Sequence, residues 1–366
     1  MVISGLSLRD FRSYESAQIE LGAGLTIVCG ANGAGKTNLV EGLYFGCTGR
    51  SFRTANDREV VRFGAAVARV ELAAVDGDGE HCFSVGFAPG EPKRLHADGV
   101  AVERLTDVQA RPLVCVFAPD RLELIKGSPA LRRAHLDALV EALWPARAQT
   151  RRAYARALAQ RNALLGRVRA GIAGRVSLGA WDSELAHHGV ALRDNRAAAV
   201  GELTDAFAEH AEALGLTGDT ELAYRPRTTA AAAEELAGEL AARVESDLIR
   251  GFTGHGPHRD ELLLRHDRHE LRVYGSQGQQ RLALLALLLA ERDALTRSRG
   301  APPLLLLDDV TSELDGEHRA RLAEIVAGEG QTVVTTTDVA QVPGAQERSV
   351  TRLVVSPGAV MSEAVA

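Results

Sequence analysis

The sequence predicts an α/β protein whose nucleotide-type core, built from both ends of the chain, is interrupted by a helical insertion. Three observations carry that prediction. Residues 30–37 read GANGAGKT between an apolar strand, GLTIVC, and a helix, NLVEGLYF. Residues 304–309 read LLLLDD, a buried strand ending in two acids. Between them, over residues 128–250, the pattern turns helical and Ala, Leu, Arg and Glu dominate. The expected domains are residues 1–120 with 251–366 for the core, and residues 121–250 for a helical arm.

A chain of 366 residues has room for two domains. Its 46% hydrophobic and 25% charged residues are ordinary for a globular protein, and a net charge of −6 excludes a uniformly basic surface but not a local patch. The first residues lack the charged, apolar and small-residue sections of a secretory signal. The longest apolar run, residues 282–290, is too short to cross a bilayer. Cys29, Cys47, Cys82 and Cys115 are scattered without CxxC spacing, as expected of reduced, mostly buried thiols. The expectation is a soluble, cytoplasmic protein.

Taken in order, residues 2–8 and 17–21 alternate as strands, and residues 24–29 form a short buried strand. Residues 38–47 space Leu39, Leu43 and Tyr44 as a helix does. Residues 67–75, 81–87 and 94–102 alternate around turns at 76–79 and Asp98-Gly99, which predicts antiparallel hairpins. Residues 113–117 (LVCVF) form another buried strand. Within the helical stretch, residues 171–179 break two long arms. Strands return at 261–265, 270–274, 304–307, 332–335 and 352–355, and the small, polar tail from 356 to 366 is expected to fray.

Gly30, Ala31, Asn32, Gly33, Ala34, Gly35, Lys36 and Thr37 fit the pattern G-x-x-x-x-G-K-[ST], and Asn38 opens the following helix. Glycines let successive N–H groups turn toward phosphate oxygens. Lys36 supplies a point charge for the β- and γ-phosphates, and the Thr37 hydroxyl is a Mg²⁺ ligand. The helix N-terminus adds partial positive charge. In the acidic strand, Asp308 is placed to hold Mg²⁺ through water, and Asp309 to orient or deprotonate the attacking water. Alone, one segment is a glycine-rich turn and the other a strand entering solvent. Together they predict ATP or GTP.

Residues 274–281, YGSQGQQR, stand directly before the apolar run. Alone they read as a polar N-cap. In sequence order, however, Ser276, Gln277, Gly278 and Gln279 lie between the phosphate loop and the acidic strand, and Ser276, Gly278 and Gln279 match the S-x-G-Q core of the ABC-type signature motif. In that class the signature of one subunit caps the γ-phosphate held by another. Ser312 and Asp315 follow the acidic pair where that class places its D-loop. The fold expected is an ABC-type ATPase head (phosphate-loop α/β core plus antiparallel β subdomain) with an inserted α-helical arm domain.

The chain resembles the RecF family, compact relatives of the structural-maintenance-of-chromosomes and Rad50 ATPases. LRDFRSYE, GANGAGKTNLVEGLY, GRSFR, FAPDRLELIKGSPALRR, GPHRDEL, GSQGQQR and LLLLDDVTSELD carry the resemblance nearly end to end. It implies a weak, DNA-dependent ATPase that forms an ATP-dependent homodimer and binds duplex DNA at gaps and junctions. It further implies partnership with RecR and RecO in loading the RecA recombinase, and an Arg12 that approaches the nucleotide phosphates. Three departures from the general ABC pattern point to slow hydrolysis, and the RecF family is similar in all three. Asp309 stands where transporters carry Glu, no histidine follows the strand at 336–338, and no glutamine follows residues 113–117. The alternatives are a transporter ATPase subunit, which usually has that histidine and glutamine, and a structural chromosome protein, which needs longer arms.

Two further features keep two readings each. Residues 121–170 carry 11 Lys/Arg against 3 Asp/Glu, and residues 180–248 carry 5 against 14. Arg147, Arg151, Arg152 and Arg156 therefore form either a basic track for DNA or one side of an internally neutralised helix pair. His255, His258, His266 and His269 form two HxxH pairs, but without cysteine a solvated or phosphate-facing loop is the stronger reading than zinc.

Overall fold

The structure is a computed structural model that describes residues 1–327, 330–347 and 349–363. The chain opens with a hairpin, β1 (Val2–Phe11) and β2 (Tyr14–Glu20), and β3 (Leu25–Cys29) then runs into α1 (Lys36–Thr48). Strands β4 (Ala68–Asp76), β5 (Gly79–Phe87), β6 (Arg94–Ala97), β7 (Val100–Val102) and β8 (Val114–Phe117) follow. The middle of the chain holds α2 (Glu123–Lys126), α3 (Pro129–Leu143), α4 (Ala148–Arg169), α5 (Leu178–Gly201) and α6 (Thr204–Ala213). After these come β9 (Thr220–Arg225), α7 (Ala233–Ala241), α8 (Val244–Arg250), β10 (Glu261–His266), β11 (His269–Glu270) and α9 (Leu271–Tyr274). The last segment holds α10 (Gln277–Arg299), β12 (Leu304–Leu307), α11 (Val310–Glu313), α12 (Gly316–Val326), β13 (Thr332–Thr336), β14 (Thr351–Ser356) and β15 (Ala359–Glu363).

Two compact units result: residues 1–122, 209–217 and 276–366, and residues 123–208 with 218–275. Residues 251–275, expected in the head, cluster with the helical unit, and residues 209–217 do the reverse.

The first unit has two sheets. One is antiparallel, in the order β2-β1-β4-β5-β6-β7. The other runs β15-β14-β3-β13-β12-β8 and is parallel except for the β14–β15 hairpin. Leu304–Leu307, a parallel strand between β13 and β8, is buried at every position, as a strand covered on both faces is, so an unbroken apolar run is what the site requires. β4 instead alternates buried and exposed positions, as a sheet covered on one face does. Helix α1 packs against β1, β4 and β5 and also against β13 and β8, so one core joins both sheets around it. Buried Gln331 links them as well: its amide donates to the carbonyls of Ile3 and Gly22, and its oxygen accepts from Ile3 N–H.

The second unit packs α4 on α5 and α5 on α7, with a small sheet ordered β11-β10-β9. Its polar interior is ionic. Arg161, 0% exposed, donates to Asp182 at 2.6 Å and to Asp247 and Thr253 at 2.7 Å. Arg196 donates to Asp137, Asp260 and the carbonyl of Pro257.

Three expectations are corrected. Residues 270–274 are only briefly extended and then turn helical in α9, because Leu271 alone is buried while Val273 and Tyr274 face solvent. β9 adds a strand inside the stretch expected to be helical. The tail forms a hairpin through Glu363, and residues 364–366 lie outside the described residues. Cys47 and Cys115 are buried, Cys29 is half-buried and Cys82 is exposed. Among the described residues no helix is long and apolar enough to cross a membrane.

Candidate functional site

The phosphate loop leaves the C-terminal end of β3 and enters α1 at Lys36. Gly35 sits at φ +117°, and a Cβ there would lie 2.9 Å from the Tyr14 hydroxyl, so only glycine fits. Tyr14 donates to the Gly35 carbonyl at 3.0 Å, and burial pushes its own pKa up to about 12. Lys36 is 7% exposed and folds over the loop, its Nζ donating to the carbonyls of Gly30 at 2.8 Å and Ala31 at 3.1 Å. The ammonium thus sits at the centre of the turn, where an anion enclosed by the loop would meet it.

Strand order brings the acids to the loop. β12 and β13 are parallel neighbours, and β13 pairs with β3, so three C-terminal strand ends meet at one rim. In open α/β sheets that rim is where ligands bind. Asp308 is 2% exposed; Thr335 of β13 donates to it at 2.8 Å, and Thr37 of α1 donates to it as well. Desolvation raises its pKa, opposed by those two hydroxyls. Among the described residues no cation forms an ion pair with it. A buried carboxylate met only by neutral hydroxyls suits a divalent cation.

Asp309 holds a left-handed backbone, φ 51° and ψ 26°, at a cost on the order of 1 kcal/mol for a non-glycine residue. Its N–H donates to Thr335 Oγ1 at 2.8 Å, and its carbonyl accepts from Ser312 at 3.0 Å. One hydroxyl, Thr335, therefore orients both acids.

Around α1 lies a network of which the sequence singled out only Arg12 and Asn38. Glu41, 0% exposed, accepts from Arg12 at 2.6 and 2.9 Å, from Ser51 at 2.5 Å and from Arg53 at 3.3 Å. Arg12 also donates to the Glu59 carbonyl, so its guanidinium is engaged within the head. Asn38 accepts from Arg53 and donates to Ser13. FRSYE and GRSFR, motifs that carried the family resemblance, supply Arg12, Ser13, Tyr14, Ser51 and Arg53; these repeated fragments were the available signal.

The signature segment caps α10. Ser276 accepts from Gln279 N–H at 3.2 Å, and Ser276 N–H donates to the Gln279 side chain at 2.9 Å, forming a complete capping box. Ser276, Gln277 and Gly278 are exposed. Asp315 likewise caps α12 through His318 N–H at 3.0 Å.

The basic stripe divides. Arg147 stacks on Trp144, 4.0 Å from the ring centroid, and Arg152 lies 3.6 Å from Glu141. Among the described residues, Arg151 and Arg156 meet no carboxylate. The histidines are dispersed: His255 meets Glu239 at 2.5 Å, His258 bridges Tyr154 and the Thr253 carbonyl, and His269 meets the Asp267 carbonyl. Burial lowers the His258 pKa to about 4, so its ring is neutral.

A family model described as an AAA domain matches residues 6–96. The chain is 39% identical over 349 residues to the DNA replication and repair protein RecF of Acidothermus cellulolyticus, covering 92% of this chain and 94% of the relative. It is 38% identical over 378 residues to that of Frankia alni, covering 99% of each. A solved structure of the recombination mediator protein RecF with ATP, of the RecFOR pathway, is similar with a TM-score of 0.91 at 26% identity, covering 99% of this chain and 98% of that one. An Smc head bound to the winged-helix domain of ScpA shares the fold, with a TM-score of 0.58 at 17% identity over 100% of this chain and 98% of that one. The chain belongs to the RecF family of DNA replication and repair proteins.

Proposed function

We propose that this chain is an ATP-dependent DNA-binding clamp. ATP is held by residues 30–38, and Ser276, Gln277, Gly278 and Gln279 of a second copy close over it. The exposed, fully capped N-terminus of α10 carries this reading. Among the described residues a Cβ built on Gly278 would meet nothing but Ser276 Oγ, at 3.9 Å, so the start of the helix is open to an incoming surface. The known RecF–ATP complex supports the choice of nucleotide.

Thr37 and Asp308 are the residues that would hold Mg²⁺, which when bound neutralises phosphate charge. Asp309 is held by Thr335 and Ser312 at the edge of the site and serves to orient the attacking water. Its carboxylate is one methylene shorter than glutamate, and a misplacement of ~1 Å costs on the order of 10²-fold in rate. Thr336 and Asp338 stand at the place of the histidine common in transporters and bond to each other. Both features favour slow hydrolysis, which suits a timed clamp. Arg12 reaches a phosphate only by sharing or leaving Glu41. Ser312 and Asp315 then belong to the surface between copies.

Closed, the pair grips duplex DNA at gaps or junctions, with Arg147, Arg151, Arg152 and Arg156 as candidate contacts, and works with RecR and RecO to load RecA. Sedimentation velocity with ATP and Mg²⁺, with and without DNA, tests the scheme on wild type, Lys36→Met and Ser276→Arg. Wild type is expected to dimerise with ATP and both variants to stay monomeric. A wild type that stays monomeric, or a Ser276→Arg protein that pairs normally, removes the shared site.

A further inference from the structure

A second positively charged feature lies in the helical unit, away from the arginines of α4 that the sequence singled out. Arg227 follows β9, Arg250 ends α8, and Arg259 ends the helical turn at 257–259. With Phe252 and Gly254 they line an open cleft of about 420 Å³. All three arginines are exposed, and among the described residues no carboxylate lies within ion-pairing distance of any of them. The nearby acids are already engaged. Asp260 accepts from Arg196, from Tyr224 and from Arg227 N–H, and Asp247 accepts from Arg161 and from Gly254 N–H. The cleft therefore carries uncompensated positive charge in a chain whose net charge is −6.

The loop that presents this charge is held from behind. Arg161 and Asn162 bind Thr253, Arg196 binds the Pro257 carbonyl, and His258 is fixed between Tyr154 and the Thr253 carbonyl. A Cβ on Gly254 would lie 2.7 Å from Arg250 Nη1, so the missing side chain lets that guanidinium rest against the backbone. Phe252 is 41% exposed, and Arg259 sits over its ring at 5.2 Å. An aromatic face flanked by unpaired guanidinium groups on a rigid loop fits a phosphodiester chain with its sugar or base beside the phosphate.

We propose that Arg227, Arg250, Arg259 and Phe252 form a nucleic-acid strand-binding cleft in the helical unit, separate from the α4 stripe. The cleft rests on the DNA-binding reading above and gives it a location. Rigid backing places the arginines before the ligand arrives, so little ordering entropy opposes binding.

The test compares wild type, Arg227→Gln/Arg250→Gln/Arg259→Gln, Phe252→Ala and Arg147→Glu/Arg151→Glu/Arg156→Glu. Each is titrated against a duplex with a single-stranded tail over a range of salt. Unchanged ATP affinity and thermal midpoint verify folding; all three glutamine positions are exposed and, among the described residues, none forms an ion pair, so both are expected to hold. The triple glutamine variant is expected to bind more weakly on every sequence, with its log K against log salt slope shallower by roughly 2 to 3. Phe252→Ala is expected to weaken binding to the tail roughly 5- to 150-fold while keeping the slope. A triple glutamine variant with the wild-type slope overturns the cleft, and a Phe252→Ala protein with wild-type affinity removes the ring from it. If wild type itself fails to bind, the DNA reading falls; if it binds and only the α4 variant changes slope, the cleft alone falls.

Discussion

Asp260 of the helical unit and Asp308 of the head are buried to the same degree, 0% and 2% exposed, and are partnered in opposite ways. Asp260 receives a guanidinium, a phenol and a backbone N–H, all from its own unit. Asp308 receives two neutral hydroxyls and no cation among the described residues. The first carboxylate completes a structure. The second is left short of positive charge at the rim where the phosphate loop opens, and that deficit separates a site from a scaffold.

If the helical unit is scaffold, breaking its ion network has the largest effect on stability. Arg161→Met leaves Asp182 and Asp247 buried without their cation, which costs roughly 3–5 kcal/mol. The urea midpoint of that unit is expected to collapse while ATP affinity of protein still folded is kept. Normal stability would mean that the network contributes nothing. Lys36→Met gives the converse result in the head. Among the described residues its ammonium bonds only to two loop carbonyls, so the fold is expected to survive. Loss of a charged hydrogen bond to phosphate, worth about 1.5–3 kcal/mol, weakens ATP roughly 10- to 150-fold by calorimetry.

Asp308→Asn reverses the usual sign. Burial raises this carboxyl above its ordinary value of 3.8, so folding favours the protonated form. Its contribution to the ligand-free fold is fully present below the ordinary value and is lost as pH rises through the raised one. Asparagine removes that penalty. The thermal midpoint of the ligand-free variant should therefore exceed wild type at neutral pH, and the gap should close near pH 4, about the ordinary value. The same variant should lose the effect of Mg²⁺ on ATP affinity. Asp308→Asn less stable than wild type at neutral pH would place the carboxylate among the structural ones.

The sequence displayed this contrast unevenly. The phosphate loop, the apolar strand and its two acids are contiguous patterns, and contiguous patterns survive without a fold. Thr335 was read only as part of a strand, because its role depends on β13 lying beside β12. β9 was missed for the same reason: TELAYR is short, and it becomes a strand by pairing with β10, far along the chain. Arg161 looked like one more arginine in a basic segment. Its neighbours at four-residue spacing, Ala157 and Leu165, are both buried, and that local pattern already placed it on the inner face. Arg259 lay inside GPHRDEL, but nothing in the sequence joined it to Arg227 and Arg250, since separate segments had to fold before they shared a cleft.

The smallest effect is expected at Gly278, and it isolates the interface from the fold. Changes at Ser276 and Gln279 also disturb the cap: replacing Ser276 breaks a capping box and costs about 1 kcal/mol within one chain. Gly278 lies in the first turn of α10, outside the left-handed region, and among the described residues an added methyl meets only Ser276 Oγ at 3.9 Å. Alanine there favours the helix by roughly 0.5–1 kcal/mol, so the monomer should melt at or slightly above the wild-type temperature. In the proposed dimer, a second copy pressing its nucleotide against the start of α10 would leave no room for the methyl. Gly278→Ala should therefore bind ATP normally and sediment as a monomer with ATP and Mg²⁺. A Gly278→Ala protein that dimerises like wild type would return the segment to the role its geometry already fills in one chain, that of an N-cap.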